Sequence, residues 1–260
     1  MNTSGRRKKS GSWQNAKSVV PSNQPNSWVV DYLKLLFIRH AESIGNQQQR
    51  MQGWAEFELS ERGKHQAKTL ASRLAAEQWR PTHVYSSPLK RAQQTTEILL
   101  HPFLSFEGVD GAPSIALELV DNLREFQTGV FQGLTWAEAQ AAYPDLCDQL
   151  ETSLDWIPIP GAETLQAGRD RAHNVIQSLL DRHANGDRVW IITHHWILQQ
   201  LIATLLGSDR TWAISIPPTA LFEFWLDRDR WHYTDQTRLN TALWQIQRFN
   251  DAHPPHSPVA

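Results

Sequence analysis

An α/β fold with a mainly parallel sheet is predicted for this sequence by three observations. Leu35-Leu36-Phe37-Ile38 is a short apolar run of strand type that stops abruptly at Arg39-His40. Val189-Trp190-Ile191-Ile192 is a second such run, and it stops at Thr193-His194-His195. The stretches between them carry apolar residues at helical spacing, as in Ala67, Leu70, Ala71 and Leu74. Continuous apolar strands alternating with amphipathic helices are the pattern of a parallel sheet covered on both faces.

The bulk numbers fit one soluble domain with tails. The chain has 260 residues, 40% hydrophobic and 20% charged. A net charge of -2 argues against a general nucleic-acid binder. The longest apolar stretch, Val189 to Leu206, is broken by Thr193-His194-His195 and Gln199-Gln200, so no membrane span is expected. The single cysteine, Cys147, makes no internal disulfide, which points to a reducing compartment and a cytoplasmic location. Residues 1–30 lack an apolar core and hold Arg6, Arg7, Lys8, Lys9 and Lys17 with no acid. They read as a disordered basic tail, with a transit peptide as the alternative. Residues 31–250 then form the domain, and residues 251–260, with three prolines, a second loose tail.

Residues 33–39 are the first strand, followed by a polar loop to about Leu59. Ser60 is placed to cap a helix that Pro81 stops. His83 to Ser86 is a short strand. Ser87 then sits at a cap position with Pro88 at the first helical position, and that helix runs to about Leu100 with Arg91 in its first turn. Residues 101–113 read as loop, Ser114 to Leu119 as strand, and Asp121 to Gly133 as irregular. Thr135 caps a helix through Ala142, stopped by Pro144. Ile157-Pro158-Ile159-Pro160-Gly161 is an extended connector. Glu163 to Leu180 is an amphipathic helix, Asn185-Gly186 a turn, Arg188 to Thr193 a strand, and Trp196 to Leu206 a helix ended by Gly207. Ala220–Leu226 and Trp231–Thr234 read as a hairpin, and Ala242–Phe249 as a strand or short helix.

Two strands ending in reactive groups bring those groups to one sheet edge, where open α/β sheets hold ligands. His40, Arg39 and His194 would meet there, with His195 as the rival of His194. Arg91 reaches the same edge from the start of its helix. Two arginines and two histidines in one crevice suit a phosphoryl group, whose transition state needs fixed positive donors. A neutral histidine can attack phosphorus, and the leaving alcohol then needs a proton. Glu125, in a Gly-marked loop, is the candidate acid. No HExxH or Cys/His spacing suggests a metal, and no GxxxxGK loop cradles a nucleotide.

The blocks carrying these residues resemble the histidine phosphatase superfamily, the phosphoglycerate mutase-like group, from about Leu33 to Phe249. Arg39-His40-Ala41-Glu42-Ser43 with Asn46 is similar to the family's Arg-His-Gly-Glu-Ser/Thr signature and its following Asn. Gln52-Gly53, Leu59-Ser60-Glu61-Arg62-Gly63, Ser87-Pro88-Leu89-Lys90-Arg91-Ala92 and Pro160-Gly161-Ala162-Glu163-Thr164 resemble further blocks in order. Glu125 and His194 fall where the family has its proton donor and second histidine. The resemblance implies a three-layer α/β/α fold and a phosphohistidine on His40. It implies phosphate held by Arg39, Asn46, Arg91 and His194, proton transfer by Glu125, and no metal or cofactor. Ser43, Gln52, His195 and Trp196 are the expected substrate contacts. Ala41 and His195 stand where glycine is usual, and Gln199 where many relatives have Arg.

The expected function is hydrolysis of a small soluble phosphate ester. The partner is a small phosphorylated metabolite, with no nucleic acid and no membrane, and the oligomeric state is left open. A phosphoglycerate-type mutase is the alternative, followed by a non-catalytic phosphate-binding module. The short span from Glu125 to Pro160-Gly161 lacks the long basic insertion of the mutases and favours hydrolysis.

Overall fold

The computed structural model describes residues 31–104, 114–208, 210–232 and 243–252. The expected tail at residues 1–30, and most of the one expected at 251–260, lie outside them. The elements are β1 Leu33–Arg39, α1 Ile44–Gln47, α2 Glu61–Ala76, β2 His83–Ser86, α3 Lys90–Leu104, β3 Ala116–Leu119, α4 Trp136–Ala142, α5 Pro144–Thr152, α6 Leu165–Arg182, β4 Arg188–Thr193, α7 His195–Leu205, β5 Leu221–Leu226 and β6 Trp244–Asp251. Helix starts follow local capping chemistry. Ser60 Oγ accepts from the backbone N of Gly63 at 2.9 Å. Thr135 and Glu138 form a reciprocal capping box.

The six strands lie in the order β3-β2-β4-β1-β5-β6. β1 to β4 run parallel, and β5 is antiparallel to both β1 and β6. The two central strands explain their own composition. Leu36, Ile38, Trp190 and Ile192 pack with Leu70 and Leu74 of α2 and Leu99 and Phe103 of α3. Leu35, Phe37, Val189 and Ile191 point the other way, onto Val175 and Leu179 of α6 and Ile197 and Leu201 of α7. Both faces are buried, so the middles of these strands, Leu35–Ile38 and Val189–Ile192, are apolar throughout, each such side chain contributing about 1.5–3 kcal/mol. The result is the three-layer α/β/α arrangement. No described helix is long and apolar enough to cross a membrane.

Several expectations need correction. The expected hairpin partner of β5 is not Trp231–Thr234. Arg228–Arg230 forms a 3-10 turn, Trp231 and His232 a turn, and residues 233 and 234 lie outside the described ones. Asp227 draws the chain away by accepting from Arg230 and Asn185, and β6 takes the place beside β5. β6 runs to Asp251, one residue into the expected tail. α3 starts at Lys90, three residues after Ser87, and runs past Leu100 and through Pro102; the Ser87 hydroxyl accepts from the backbone N of Leu89 at 3.3 Å, ahead of the helix, and from His194 Nε2 at 2.7 Å. Pro144 stops α4 but also opens α5, since its missing N–H is harmless at a first helical position. The helix expected from Glu163 begins at Leu165 with Thr164 as its cap, and runs to Arg182.

Candidate active site

His40 and His194 each follow the last residue of a strand, β1 and β4, which are neighbours in register. Both are buried, and their rings lie 4.9 Å apart. The His40 backbone N donates to the Thr193 carbonyl, which locks the two strand ends together. His40 Nδ1 stands 2.6 Å from the carbonyl oxygen of Ala41. A carbonyl only accepts, so Nδ1 carries the proton and Nε2 keeps its lone pair. Burial, then the positive charges of Arg91 and Arg39, push the His40 pKa well below that of a free histidine. The ring is therefore neutral at pH 7 with its nucleophilic nitrogen defined.

Two arginines complete the positive site. Arg91, nearly fully buried, donates Nε to His194 Nδ1 at 3.2 Å, and its terminal nitrogens to the carbonyls of Ala55 at 3.0 Å and Gly53 at 2.8 Å. Gly53 takes φ of +49°, a left-handed conformation suited to glycine, and so turns its carbonyl toward Arg91. Burial pulls the Arg91 pKa down to about 10, against the carboxylates of Glu125 and Glu56, and it stays protonated at pH 7. Arg39 donates to the carbonyl of Ile216, while its buried Nε has no partner. The buried hydroxyl of Thr128 is also unpartnered. Arg39 and Thr128 line one cavity of about 330 Å³, with His40, Asn46, Arg50, Met51, Gln52, Gly53, Arg91, Glu125, Phe126, His195 and Trp196. Unpaired buried polar groups are rare, and two in one cavity beside two cations mark a place for a polar anionic ligand.

The carboxylate of Glu125 is held at the N-terminus of α7. It accepts from the backbone N of Trp196 at 3.1 Å and of Ile197 at 3.3 Å. A helix N-terminus favours a negative group. The loop behind it is pinned by Trp54 Nε1 to the Glu125 carbonyl at 2.7 Å and by Arg171. Arg171 reaches the carbonyls of Asn122, Arg124 and Glu125, and is itself gripped at two points by Glu163.

Of the residues expected from the sequence, His40, Arg39, Arg91, Glu125, Asn46, Gln52, His195 and Trp196 all line the cavity. Asn46 uses its amide oxygen in the α1 capping box with Ser43, which leaves its NH₂ for the cavity. His194 and Ser43 do not line it. His194 accepts from Arg91 at Nδ1 and therefore donates Nε2–H to Ser87 Oγ at 2.7 Å. Both its nitrogens are engaged, and Nδ1 ties the ring to the Arg91 guanidinium beside His40. The Ser43 hydroxyl is buried against Asn46 and Gln52 and positions them. His195 lies with Nδ1 3.4 Å from the Ile216 carbonyl, and burial lowers its pKa. The Trp196 indole packs on Phe126, with ring centroids 4.4 Å apart, over Gly168 of α6.

Sequence reasoning missed Thr128, Arg50, Ser87 as the partner of His194, and the Arg171–Glu163 clamp. Thr128 lies in the Gly-marked loop of Glu125, and Arg50 stands two residues before Gln52. The other pairings join segments far apart in the chain. Among the described residues, no group of metal-ligating side chains lies in this cavity.

The model of the histidine phosphatase superfamily (branch 1) matches residues 35–237. The chain belongs to this superfamily. It is 32% identical over 206 residues to phosphoglycerate mutase-like protein 4 of Arabidopsis thaliana, covering 78% of this chain and 84% of that one. It is 31% identical over 169 residues to the metal-independent phosphoserine phosphatase of Arabidopsis thaliana, covering 65% and 66%. Among solved structures, Bacillus stearothermophilus YhfR superposes with a TM-score of 0.67 at 25% identity, covering 85% of this chain and 98% of that one. The six-stranded sheet with its flanking helices is thus the histidine phosphatase fold.

Proposed function

We propose that this histidine phosphatase hydrolyses a small soluble phosphate monoester through a phosphohistidine on His40. The observation that carries the reading is the His40 Nδ1–Ala41 carbonyl bond, which leaves Nε2 as the nucleophile inside a cavity with Arg39 and Arg91. Nε2 attacks phosphorus while the ester P–O bond breaks. The leaving oxygen takes a proton from the carboxylic acid of Glu125. The resulting carboxylate then removes a proton from water, whose oxygen attacks phosphorus as the N–P bond breaks. Inorganic phosphate leaves and both side chains return to their starting states.

Arg39, with its free Nε, and Arg91 hold the equatorial oxygens, aided by the Asn46 amide. His194 keeps Arg91 in place. A cavity of about 330 Å³ suits a small metabolite, and Met51, Phe126 and Trp196 give the leaving group an apolar wall. No step calls on a metal or cofactor, as in the name of the similar metal-independent phosphoserine phosphatase of Arabidopsis thaliana.

The test is phosphate release over a panel of sugar phosphates, phosphoglycerates, nucleotides and phosphorylated amino acids, with a mutase assay in parallel. Acid-labile, base-stable phosphate on the wild-type chain, absent from His40→Ala together with turnover, is the expected result. Unimpaired turnover in His40→Ala would sink the assignment. Transfer back to substrate in preference to water would make the protein a mutase.

A further inference from the structure

At the sheet edge opposite the catalytic residues, three side chains from three elements converge. His83 is the first residue of β2, His183 caps the C-terminus of α6, and Asp187 immediately precedes β4. One ligand atom of each lies within 4.8 Å of the other two, the one such group among the described residues. Asp187 and His194 are separated by the length of β4, roughly 23 Å at ~3.3 Å per residue.

His183 is buried with both nitrogens engaged. Nδ1–H donates to Asp187 Oδ2 at 2.9 Å, and Nε2 accepts from the Tyr85 hydroxyl at 2.9 Å. A structural His–Asp pair needs nothing more. Yet His83 presents a second imidazole to the same carboxylate, with ring centroids 4.5 Å from His183. Its Nδ1 stands 4.0 Å from Asp187 Oδ1, too far for a hydrogen bond. It turns instead to Thr82 Oγ1 at 2.9 Å. Each histidine thus approaches a different oxygen of one carboxylate.

We propose that His83, His183 and Asp187 form a binding site for a first-row divalent cation of zinc type. Two imidazoles and a carboxylate are the ligand set such ions prefer, with water as the fourth ligand. Ligands ~2.05 Å from a tetrahedral ion stand roughly 3.3 Å apart. The two His–Asp separations, 2.9 Å and 4.0 Å, bracket that value, and with all three ligand atoms within 4.8 Å of one another the side chains close on an ion by rotating inward. An outer shell is already built. When the ion takes Nδ1 of His183, the ring proton moves to Nε2, and Nε2–H donates to the Tyr85 hydroxyl, which turns its own proton away; this is the bond that orients a metal-bound histidine. The backbone N of Ala184 donates to Asp187 Oδ2 and holds the carboxylate. The nearby cation of Arg182 is already paired with Glu118 at 2.6 Å. The ion would tie the entries of β2 and β4 to the end of α6, a role separate from the catalysis at the far edge.

The experiment titrates zinc into the chelator-treated full chain by calorimetry, with the melting temperature followed in parallel. One ion per chain is expected, with Tm raised by roughly 3 °C or more at saturation. His83→Ala and Asp187→Asn should each weaken binding by more than about tenfold while leaving metal-free phosphatase turnover as in wild type. No stoichiometric binding, or undiminished binding in both variants, overturns the site. A zinc-soaked crystal gives a reading that needs no variant. Anomalous density between the three side chains supports the site, and density only elsewhere, or none, overturns it. Both readouts are independent of whether His40 carries a phosphoryl group.

Discussion

Arg91 Nε donates to His194 Nδ1, and the histidine passes the constraint on through Nε2–H to the hydroxyl of Ser87. The Arg91 guanidinium is therefore aimed by a chain of two hydrogen bonds anchored just after β2. Ser87→Ala removes the anchor and leaves a buried N–H without a partner. The expected loss is about 1–3 kcal/mol of unfolding free energy and a raised KM, with the phosphohistidine still formed. Urea unfolding and steady-state kinetics measure both. An unchanged KM would show that Arg91 does not depend on this anchor.

The same burial sets a pH dependence. His40 and His194 are pushed well below the ordinary histidine pKa, first by burial and then by the charge of Arg91. The unfolded chain takes up protons near pH 6.5, before the folded one does. Stability is therefore greatest above that pH and is lost as the pH falls from there toward the depressed folded values. The urea midpoint is expected to be lower at pH 5.5 than at pH 7.5. Equal midpoints would contradict the neutral, buried pair. For turnover, the acidic limb of kcat/KM should lie below the range of free histidine, because the nucleophile stays neutral there.

Glu125→Gln keeps an oxygen for the N–H groups of Trp196 and Ile197 but cannot exchange a proton. Turnover of an ester with a poor leaving group should fall by about 10²–10⁴-fold, with thermal stability close to wild type. An activated aryl phosphate, which needs no protonation on departure, should be spared in the phosphorylation step. Equal losses on both esters in single-turnover phosphorylation would remove Glu125 from the acid role.

Much of this was legible in the sequence because the site is built on two strands whose ends are sharply marked. Arg39-His40 and His194-His195 interrupt runs that are apolar on both faces, and that break is visible without coordinates. The capping roles of Ser60 and Thr135 are local and were equally legible. What was not legible depends on chain segments meeting across distance. Nothing around His194 tells that Ser87 will absorb its Nε2–H, and nothing near Trp231 tells that β6, beyond it, will claim the edge of β5. Thr128 carries no pattern at all; only its buried, unpartnered hydroxyl singles it out.

Gly168 connects packing to the pocket wall. A methyl group there would stand 2.4 Å from Cη2 of Trp196. Gly168→Ala is expected to push the indole toward Phe126 and the cavity, lower stability by about 1–3 kcal/mol and alter KM more for bulky than for small esters. Denaturant unfolding and a substrate-size series are the measurements. A variant with wild-type stability and selectivity would show that the ring moves freely.

The parts of this pocket are carried on different stretches of chain. His40 and Arg39 end one strand, whereas Arg50, Met51, Phe126 and Trp196 stand on three separate loops or loop–helix junctions. Heredity can treat them separately. An exchange on one of these loops would change one wall of the cavity while Arg39 and His40 keep their places at the end of β1.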